Sequence, residues 1–347
     1  MTEPQTGRSR LLRAVTSLPG RILITAALLG LVARSIEWDQ LSAALETARW
    51  EYALLAIVLG FVSLVVGGLR WTLYLKALEL GVSTWQAMRA YFVGTFSNIA
   101  LPTGFGGDAV RAWLVGRSGV RLARAATSVI FDRLSALACL VALAWLGVVL
   151  DASDIPGDQI AVLAALSGVG LATVAFALVI LRRQGLGRFL PEALRPWARE
   201  VATAASRIVF SPRLQAATLA LGLLAQVAVI GLAWALAETL SLSLSPAYLA
   251  VVVTLVLVAT LLPISISGFG VREGTFVALL AAVGVDSADA ALLSVLSVAA
   301  MAAASLPGGI ALLLGHVSVT PPPAADELEP VGEPREERTR LAEDRMA

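Results

Sequence analysis

Charged side chains beside apolar segments are the first feature of this sequence that could carry chemistry. Asp108 and Arg111 follow one apolar segment, and Arg272 and Glu273 follow another. Charge at membrane depth is costly, and it is usually paired or functional. An arginine can bind two phosphate oxygens at once through its planar guanidinium. The pattern therefore predicts either structural ion pairs or a binding site for an anionic group.

These charges belong to a motif that occurs twice. Residues 101–111 read LPTGFGGDAVR, and residues 262–272, which begin 161 positions later, read LPISISGFGVR. Broken backbone at membrane depth is tolerated only where it is buried in protein or lines a wet cavity. We therefore predict a substrate-binding site at the two motifs and the helix that follows the first. Its predicted members are Asn98, Pro102, Gly106, Gly107, Asp108, Arg111, Asp132, Arg133, Pro263, Gly268, Gly270, Arg272 and Glu273.

The charged members of this set have separate predicted roles. Arg111 and Arg272, helped by backbone amides near the glycines, are predicted to bind the anion. Asp132 and Arg133 are predicted to support them or to form a latch near the inner face. Pairing of Asp108 with Arg111 for structure alone is the alternative.

Other polar and aromatic residues of the apolar segments are predicted to lie at the membrane boundary. Arg70 and Arg89 are interpreted as anchors that reach to the interface. Tryptophans favour the same depth. The predicted belt consists of Trp38, Trp50, Trp71, Trp85 and Trp113.

The composition indicates a membrane protein. Hydrophobic residues make up 58% of the chain and charged residues 15%, whereas about one-quarter is charged in a typical soluble domain. Cys139 is the only cysteine, so no internal disulfide is expected, and it is interpreted as a core residue. His316 is the only histidine, and no phosphate-binding loop with a lysine is present. We therefore expect no catalytic residue, metal or cofactor, and no nucleic-acid partner.

The apolar segments predict an all-α polytopic membrane protein. Two of them, near 86–101 and 247–262, end at the repeated motif and predict two re-entrant helical hairpins. The remaining six are predicted to be full spans, near 20–36, 52–70, 125–150, 160–181, 214–238 and 287–315.

Loop charges predict the orientation, because Lys and Arg accumulate on the cytoplasmic side. Residues 70–85, 111–124 and 182–213 are basic and are predicted to be inside, whereas the acidic loop 151–158 is outside. A segment with both ends inside cannot cross once, which is why a re-entrant hairpin is predicted between 85 and 111. The protein is predicted to lie in the cytoplasmic (inner) membrane, with both termini in the cytoplasm.

The predicted domains follow from the same pattern. A basic arm (1–19) precedes a transmembrane domain (20–316), which contains repeat units at about 52–150 and 213–311 with inverted topology. Between the units, residues 182–213 are amphipathic and predict a helix on the inner leaflet, with an ordinary basic loop as the alternative. The tail (317–347) is rich in charge and proline and is predicted to be disordered.

Several short motifs resemble the flippase-like integral membrane family, which is named after the transmembrane region of lysylphosphatidylglycerol synthase. They lie within about residues 20–316. Asp132 stands where that family usually has Glu, which keeps the charge but shortens its reach. The motifs are Gly68-Leu69-Arg70-Trp71, Phe96-Ser97-Asn98, Leu101-Pro102, Gly106-Gly107-Asp108, Arg111, Ser128-Val129, Asp132-Arg133, Pro263, Gly268, Gly270, and Arg272-Glu273.

The resemblance implies a protein of the type that moves aminoacylated phospholipid between leaflets, with relatives near glycosyltransferases and polyprenyl-lipid pathways. Members with lysyl-transfer activity carry it in a separate soluble domain, which is not expected here. The leading hypothesis is therefore a translocator of an anionic, aminoacylated or polyprenyl-linked lipid. Alternatives are a scaffold for a membrane synthase or glycosyltransferase, and an intramembrane lipid-modifying enzyme that uses Asp108 or Glu273 as acid or base.

Overall fold

The computed structural model describes residues 49–100, 106–116, 119–153, 155–182, 195–261 and 270–314. Within these ranges the chain is all-helical and contains no strand. The described residues form ten helices: α1 (Trp50–Ala77), α2 (Thr84–Ala100), α3 (Gly106–Gly116), α4 (Gly119–Leu150), α5 (Gly157–Arg182), α6 (Arg195–Val209), α7 (Pro212–Thr239), α8 (Pro246–Thr260), α9 (Val271–Ala281) and α10 (Ser287–Leu313).

Five of the helices, α1, α4, α5, α7 and α10, are long and apolar enough to cross a membrane. They coincide with five of the six predicted spans, and their outward faces carry many exposed large apolar side chains, as expected next to lipid. The remaining predicted span, 20–36, lies outside the described residues, as do the basic arm and the tail. The total number of spans therefore stays a prediction.

Helices α1 and α7 pack against each other at the centre of the structure. Around them, the short helix of each predicted unit packs against a long helix of the other unit. Helix α2 packs against α10, and α8 packs against α4. Glycines permit both contacts: a Cβ at Gly308 of α10 would collide with the Phe92 carbonyl of α2, and one at Gly147 of α4 would collide with the Ala247 carbonyl of α8. Each short helix therefore lies against the last helix of the other predicted unit.

Helices α2 and α3 form a helical hairpin. The Gly107 amide donates to Asn98 Oδ1 at 2.8 Å, and the backbone at Gly94 faces Arg111. As α3 advances from Gly107 to Arg111, its partner in α2 moves back from Asn98 to Gly94. The two helices are therefore antiparallel. Substitution of Gly94 or Gly107 would bring a Cβ into the backbone of the opposite helix, which explains why the hairpin needs glycine at both places.

Contacts between loops divide the molecule into two ends. The first, called the basic end, contains the turn before α2 and the start of α4, because Arg121 donates to the Leu80 carbonyl at 2.7 Å. Helix α6 lies at the same end, where Arg207 pairs with Glu79 at 3.1 Å. The α2–α3 hairpin therefore has its open ends at the basic end.

The opposite end contains the start of α1 and the end of α7, which are joined by Arg49 and Glu238 at 3.4 Å. Helix α8 begins seven residues after α7 ends, so it starts at this end as well. At the start of α5, Gln159 donates both to the hydroxyl of Tyr248 in α8 and to the Leu279 carbonyl in α9. The open ends of α8 and α9 are thus held together at the opposite end.

The linker between the predicted units contains an amphipathic helix, α6. Ala204 and Ile208 are buried among core residues of α1 and α4, whereas Trp197 on the other side is exposed. Arg124 of α4 forms an ion pair with Glu200. The linker is therefore helical over Arg195–Val209, and the alternative of an ordinary basic loop does not hold for this part. The placement of α6 on a leaflet stays a prediction.

Candidate functional site

A cavity of about 490 Å³ lies between two helix pairs. One pair is α2 and α3, which flank the first motif, and the other is α8 and α9, which flank the second. Its wall contains side chains from α1, α2, α3, α4, α7, α8 and α10, and Arg272 of α9 completes it. The lining is mixed: apolar residues surround a group of charged side chains. Both copies of the motif therefore contribute to one cavity rather than to two separate sites.

Asp132 is the first centre of this charged group. It lies near the middle of α4 and is buried. Arg70 Nε of α1 donates to its Oδ1 at 2.8 Å, and Arg111 Nη1 of α3 donates to its Oδ2 at 2.8 Å. One carboxylate thus joins three helices, and the shorter reach of Asp relative to Glu does not prevent close pairing.

Asp108 is the second centre. Its Oδ1 accepts from Arg111 Nε at 3.1 Å, and its Oδ2 accepts from Arg133 Nε at 2.6 Å. Since Arg111 contacts both aspartates, the five side chains form one continuous network. We call it the five-charge network; its members are Arg70, Asp132, Arg111, Asp108 and Arg133.

Aromatic rings position Arg111 within this network. Its guanidinium carbon lies 5.0 Å from the ring centroids of both Trp71 and Tyr91. The Trp71 indole donates to Ser128 Oγ at 3.0 Å, which fixes its ring. A cation next to two aromatic rings gains further electrostatic stabilisation in a dry environment. Arg111 is therefore held on several sides and has little freedom to move.

Two of the boundary predictions are wrong. Arg70 is not an interfacial anchor, because it is buried and paired with Asp132. Trp71 is not part of a surface belt, because it is fully buried beside Arg111. Trp50 and Trp85 are exposed, and their place at the membrane boundary stays a prediction; Trp38 lies outside the described residues. In the sequence, Arg70 is noticeable as a charge inside an apolar span. Only its ion pair with Asp132 shows that Arg70 belongs to the site.

Three other predicted residues at or just before the first motif have a structural place. Asn98 lines the cavity, and it also holds the start of α3 through the Gly107 amide. Gly106 and Gly107 begin α3, where Gly107 permits its close approach to α2. Pro102 lies outside the described residues.

The second motif forms a smaller charged group. Arg272 pairs with Glu273 at 3.6 Å, and Ser294 of α10 donates to Glu273 Oε1 at 3.5 Å. Glu273 Oε2 accepts from the Gly270 amide at 2.6 Å and so caps α9. Gly270 has a φ of 82°, a conformation that favours glycine. Pro263 and Gly268 lie outside the described residues.

The hydrogen bonds bear on what the carboxylates can do chemically. All four oxygens of Asp108 and Asp132 accept from arginines, and both oxygens of Glu273 have donors. Each of these three carboxylates is therefore held by donors from the protein itself. In the part of the chain that the structure describes, no cluster of three or more His, Cys, Asp or Glu side chains suits a metal ion.

Apolar helices long enough to cross a membrane, packed around a cavity with charged side chains, define a multi-pass integral membrane protein. The family model described as the lysylphosphatidylglycerol synthase TM region matches residues 20–309. The chain therefore belongs to this family, and the resemblance predicted from its motifs is confirmed. The family connects the protein with membrane lipids. A comparison with curated proteins finds no match.

Proposed function

We propose that this protein moves a lipid between the leaflets of the cytoplasmic membrane and does so without a covalent reaction. The observation that carries the proposal is the cavity, because it combines four arginines with an apolar lining inside a group of lipid-facing helices. A lipid head group needs a polar path, whereas its acyl chains can stay in the surrounding hydrocarbon. A cavity with both kinds of surface suits such a passage.

The proposed mechanism depends on two hairpins that enter the membrane from opposite faces. The open ends of α2 and α3 at the basic end, and those of α8 and α9 at the opposite end, support this inverted arrangement. Arg111 from one hairpin and Arg272 from the other both line the cavity. The head group would pass from the arginines of one hairpin to those of the other as access alternates between the two faces.

The topology can be tested by cysteine accessibility. Thr84 is the first residue of the first hairpin, Ala282 follows the second, and both are exposed. Single cysteines at these positions, in a Cys139→Ala background, should react with an impermeant reagent from opposite membrane faces, with Thr84→Cys on the cytoplasmic side. Labelling of both from one face would contradict the inverted arrangement.

The function can be tested in proteoliposomes with head-group-labelled lipids and an impermeant quencher. The panel contains phosphatidylglycerol, its lysyl derivative and a polyprenyl phosphate. We expect the wild-type protein to move at least one lipid, and we expect Arg272→Gln to move it more slowly. Arg207→Gln is the matched control, because Arg207 forms an exposed ion pair away from the cavity. Equal rates in all three proteins would exclude the cavity as the path.

A non-transporting scaffold for a membrane synthase or glycosyltransferase is the first of two alternatives. It predicts no movement of any lipid by the purified protein and a stable enzyme partner in native membranes. The intramembrane-enzyme alternative is less well supported, because Asp108 and Glu273 are occupied by arginine and backbone donors. Formation of a product from a lipid substrate by purified protein would restore it.

A further inference from the structure

The interface between α4 and α8 is closed near the opposite end of the molecule. There Gly147 of α4 lies against the Ala247 carbonyl of α8. Further along, Thr254 Oγ1 of α8 donates to the Leu140 carbonyl of α4 at 3.3 Å. From the first contact to the second, α4 goes back seven residues and α8 advances seven. The two helices are therefore antiparallel and keep one register.

The same register leads from this closed part into the cavity. The next turn places Leu137 of α4 opposite Leu257 of α8. The turn after that places Arg133 opposite Leu261. All four side chains line the cavity. The two helices therefore touch near the opposite end and then become two walls of the cavity.

Exposure changes along this interface. Leu140 is buried, whereas Leu134 is 49% exposed, Leu257 is 41% exposed, and Leu261 is exposed as well. All four line the cavity. Leu134 lies 15 residues from the start of α4 and 16 residues from its end, so it is far from both ends of a helix that can cross a membrane. The open part of the interface is thus apolar and lies at the depth of the hydrocarbon.

Helix α5 covers only the closed part of this interface. Its first half is held against α4 by Ser167, which accepts from the Trp145 indole at 3.0 Å. After Ser167, residues 168–176 are all exposed, and a Cβ at Gly168 would have nothing within 4 Å. Nine residues go round a helix more than twice, so every face of α5 is exposed here. The exposed leucines of α4 and α8 are therefore not covered by α5.

We infer that the open part of the α4–α8 interface is a lateral portal for the hydrocarbon chains of a membrane lipid. We call it the chain portal; its members are Leu134, Leu257 and Leu261. This inference rests on the proposed function and names the ligand class, a lipid that keeps its chains while its head group is in the cavity. Asp132 and Arg111 of the five-charge network lie on the inner side of the portal, in the same cavity wall.

The order of the side chains supports this assignment. A head group at the depth of Asp132 lies near the middle of α4, so its chains need a way out to the side. The portal offers leucine side chains in that direction, and contact with hydrocarbon chains keeps them out of water. A water-soluble anion has no use for an apolar opening at this depth. A lipid uses both the charged interior and the apolar rim.

A bulky residue in the portal tests the route without a change in the charged network. Leu134→Trp enlarges an exposed side chain at the opening, where no packed core has to accommodate it. Leu146→Trp is the matched control, because Leu146 is 50% exposed and lies more than three turns further along the same helix. In proteoliposomes with the three lipids of the transport test, Leu134→Trp should slow movement about tenfold. Leu146→Trp should keep the wild-type rate, and thermal unfolding should be the same for both variants.

Photo-cross-linking of the full-length protein tests the ligand class separately from transport. A photoreactive benzoylphenylalanine replaces Leu257 in one protein and Leu146 in another. The vesicles contain equal amounts of phosphatidylglycerol, its lysyl derivative and a polyprenyl phosphate. At Leu257 we expect one lipid to be cross-linked about tenfold more than its share, since one hydrogen bond between its head group and a charged side chain is worth about that factor. At Leu146 the cross-linked lipids should follow the composition of the vesicle.

The outcomes separate the two proposals. Enrichment of one lipid at Leu257, but no lipid movement by the wild-type protein, would contradict the translocator and leave the chain portal intact. Movement at equal rates in Leu134→Trp and Leu146→Trp would overturn the portal and leave the translocator intact. The same lipid composition at Leu257 and Leu146 would overturn the portal as well. Equal slowing in both tryptophan variants would also contradict it, because the effect would then not depend on the opening.

Discussion

The two copies of the motif place an arginine at the same position, yet the structure surrounds them differently. Arg111 lies in the five-charge network, whereas Arg272 pairs with its neighbour in the chain, Glu273. The positions that supply Arg70 and Asp132 in the first unit correspond to Gly231 and Leu293 in the second. Leu293 is buried in the apolar core. The same local motif thus yields an ionic network across three helices in one unit and an ion pair between neighbouring residues in the other.

This difference indicates a division of roles within one cavity. A buried ionic network with several anchors is positioned by the fold, and it is expensive to disturb. A longer ion pair with partial exposure can exchange its partner for a ligand at lower cost. We therefore expect substitutions near Arg111 to affect stability first and those at Arg272 to affect transport first.

The largest expected effect is the loss of stability in Arg111→Ala. The substitution leaves Asp108 and Asp132 with fewer partners in a buried site, which costs about 3–5 kcal/mol in comparable cases. The free energy of unfolding in mild detergent measures it. Arg207→Ala is the control, since its ion pair is exposed. If both variants were equally stable, the five-charge network would not be a structural centre.

The next effect concerns the reciprocal glycine contacts that join the two units. Gly308→Ala and Gly147→Ala should each destabilise the protein by about 1–3 kcal/mol, because each new methyl group meets backbone of a neighbouring helix. Gly168→Ala is a matched control in α5, where nothing lies within 4 Å of the added atom. Thermal unfolding of the three variants provides the measurement. Similar values for all three would contradict the close packing of the two units.

Arg272→Gln should reduce lipid movement about tenfold, which corresponds to about 1.4 kcal/mol. It should change the unfolding free energy by less than about 1 kcal/mol, because the pair with Glu273 is 3.6 Å long and partly exposed. Initial rates in proteoliposomes and thermal unfolding are compared on the same preparation. A stability loss as large as that of Arg111→Ala would remove the contrast between the two arginines.

The smallest effect is expected at the basic end. Glu200→Gln removes the ion pair between α6 and Arg124, but both side chains are partly exposed. Such pairs contribute about 0–1 kcal/mol, and salt reduces the contribution further. Unfolding measured at low and high ionic strength tests this expectation. A larger loss would show that α6 depends on this pair rather than on the burial of Ala204 and Ile208.

The sequence alone determined the membrane class, the family, five of the long helices and the helix ends on either side of both motifs. These features depend on local properties: apolar runs of sufficient length, glycine and proline as breakers, and charges within apolar segments. Asp108, Arg111, Asp132, Arg133 and Arg272 were recognised in the same way, because charge in such segments stands out without any structure.

Only the tertiary structure decided which charges meet. Arg70 and Asp132 are 62 residues apart, and their contact depends on how α1 packs against α4. The burial of Trp71 beside Arg111 depends on the same packing, which hydropathy does not encode. The merging of two motifs into one cavity also arises from helix packing, since neither motif specifies its distance from the other. Local sequence thus determined the helices and their breaks, whereas the partners of each charge followed from packing between distant helices.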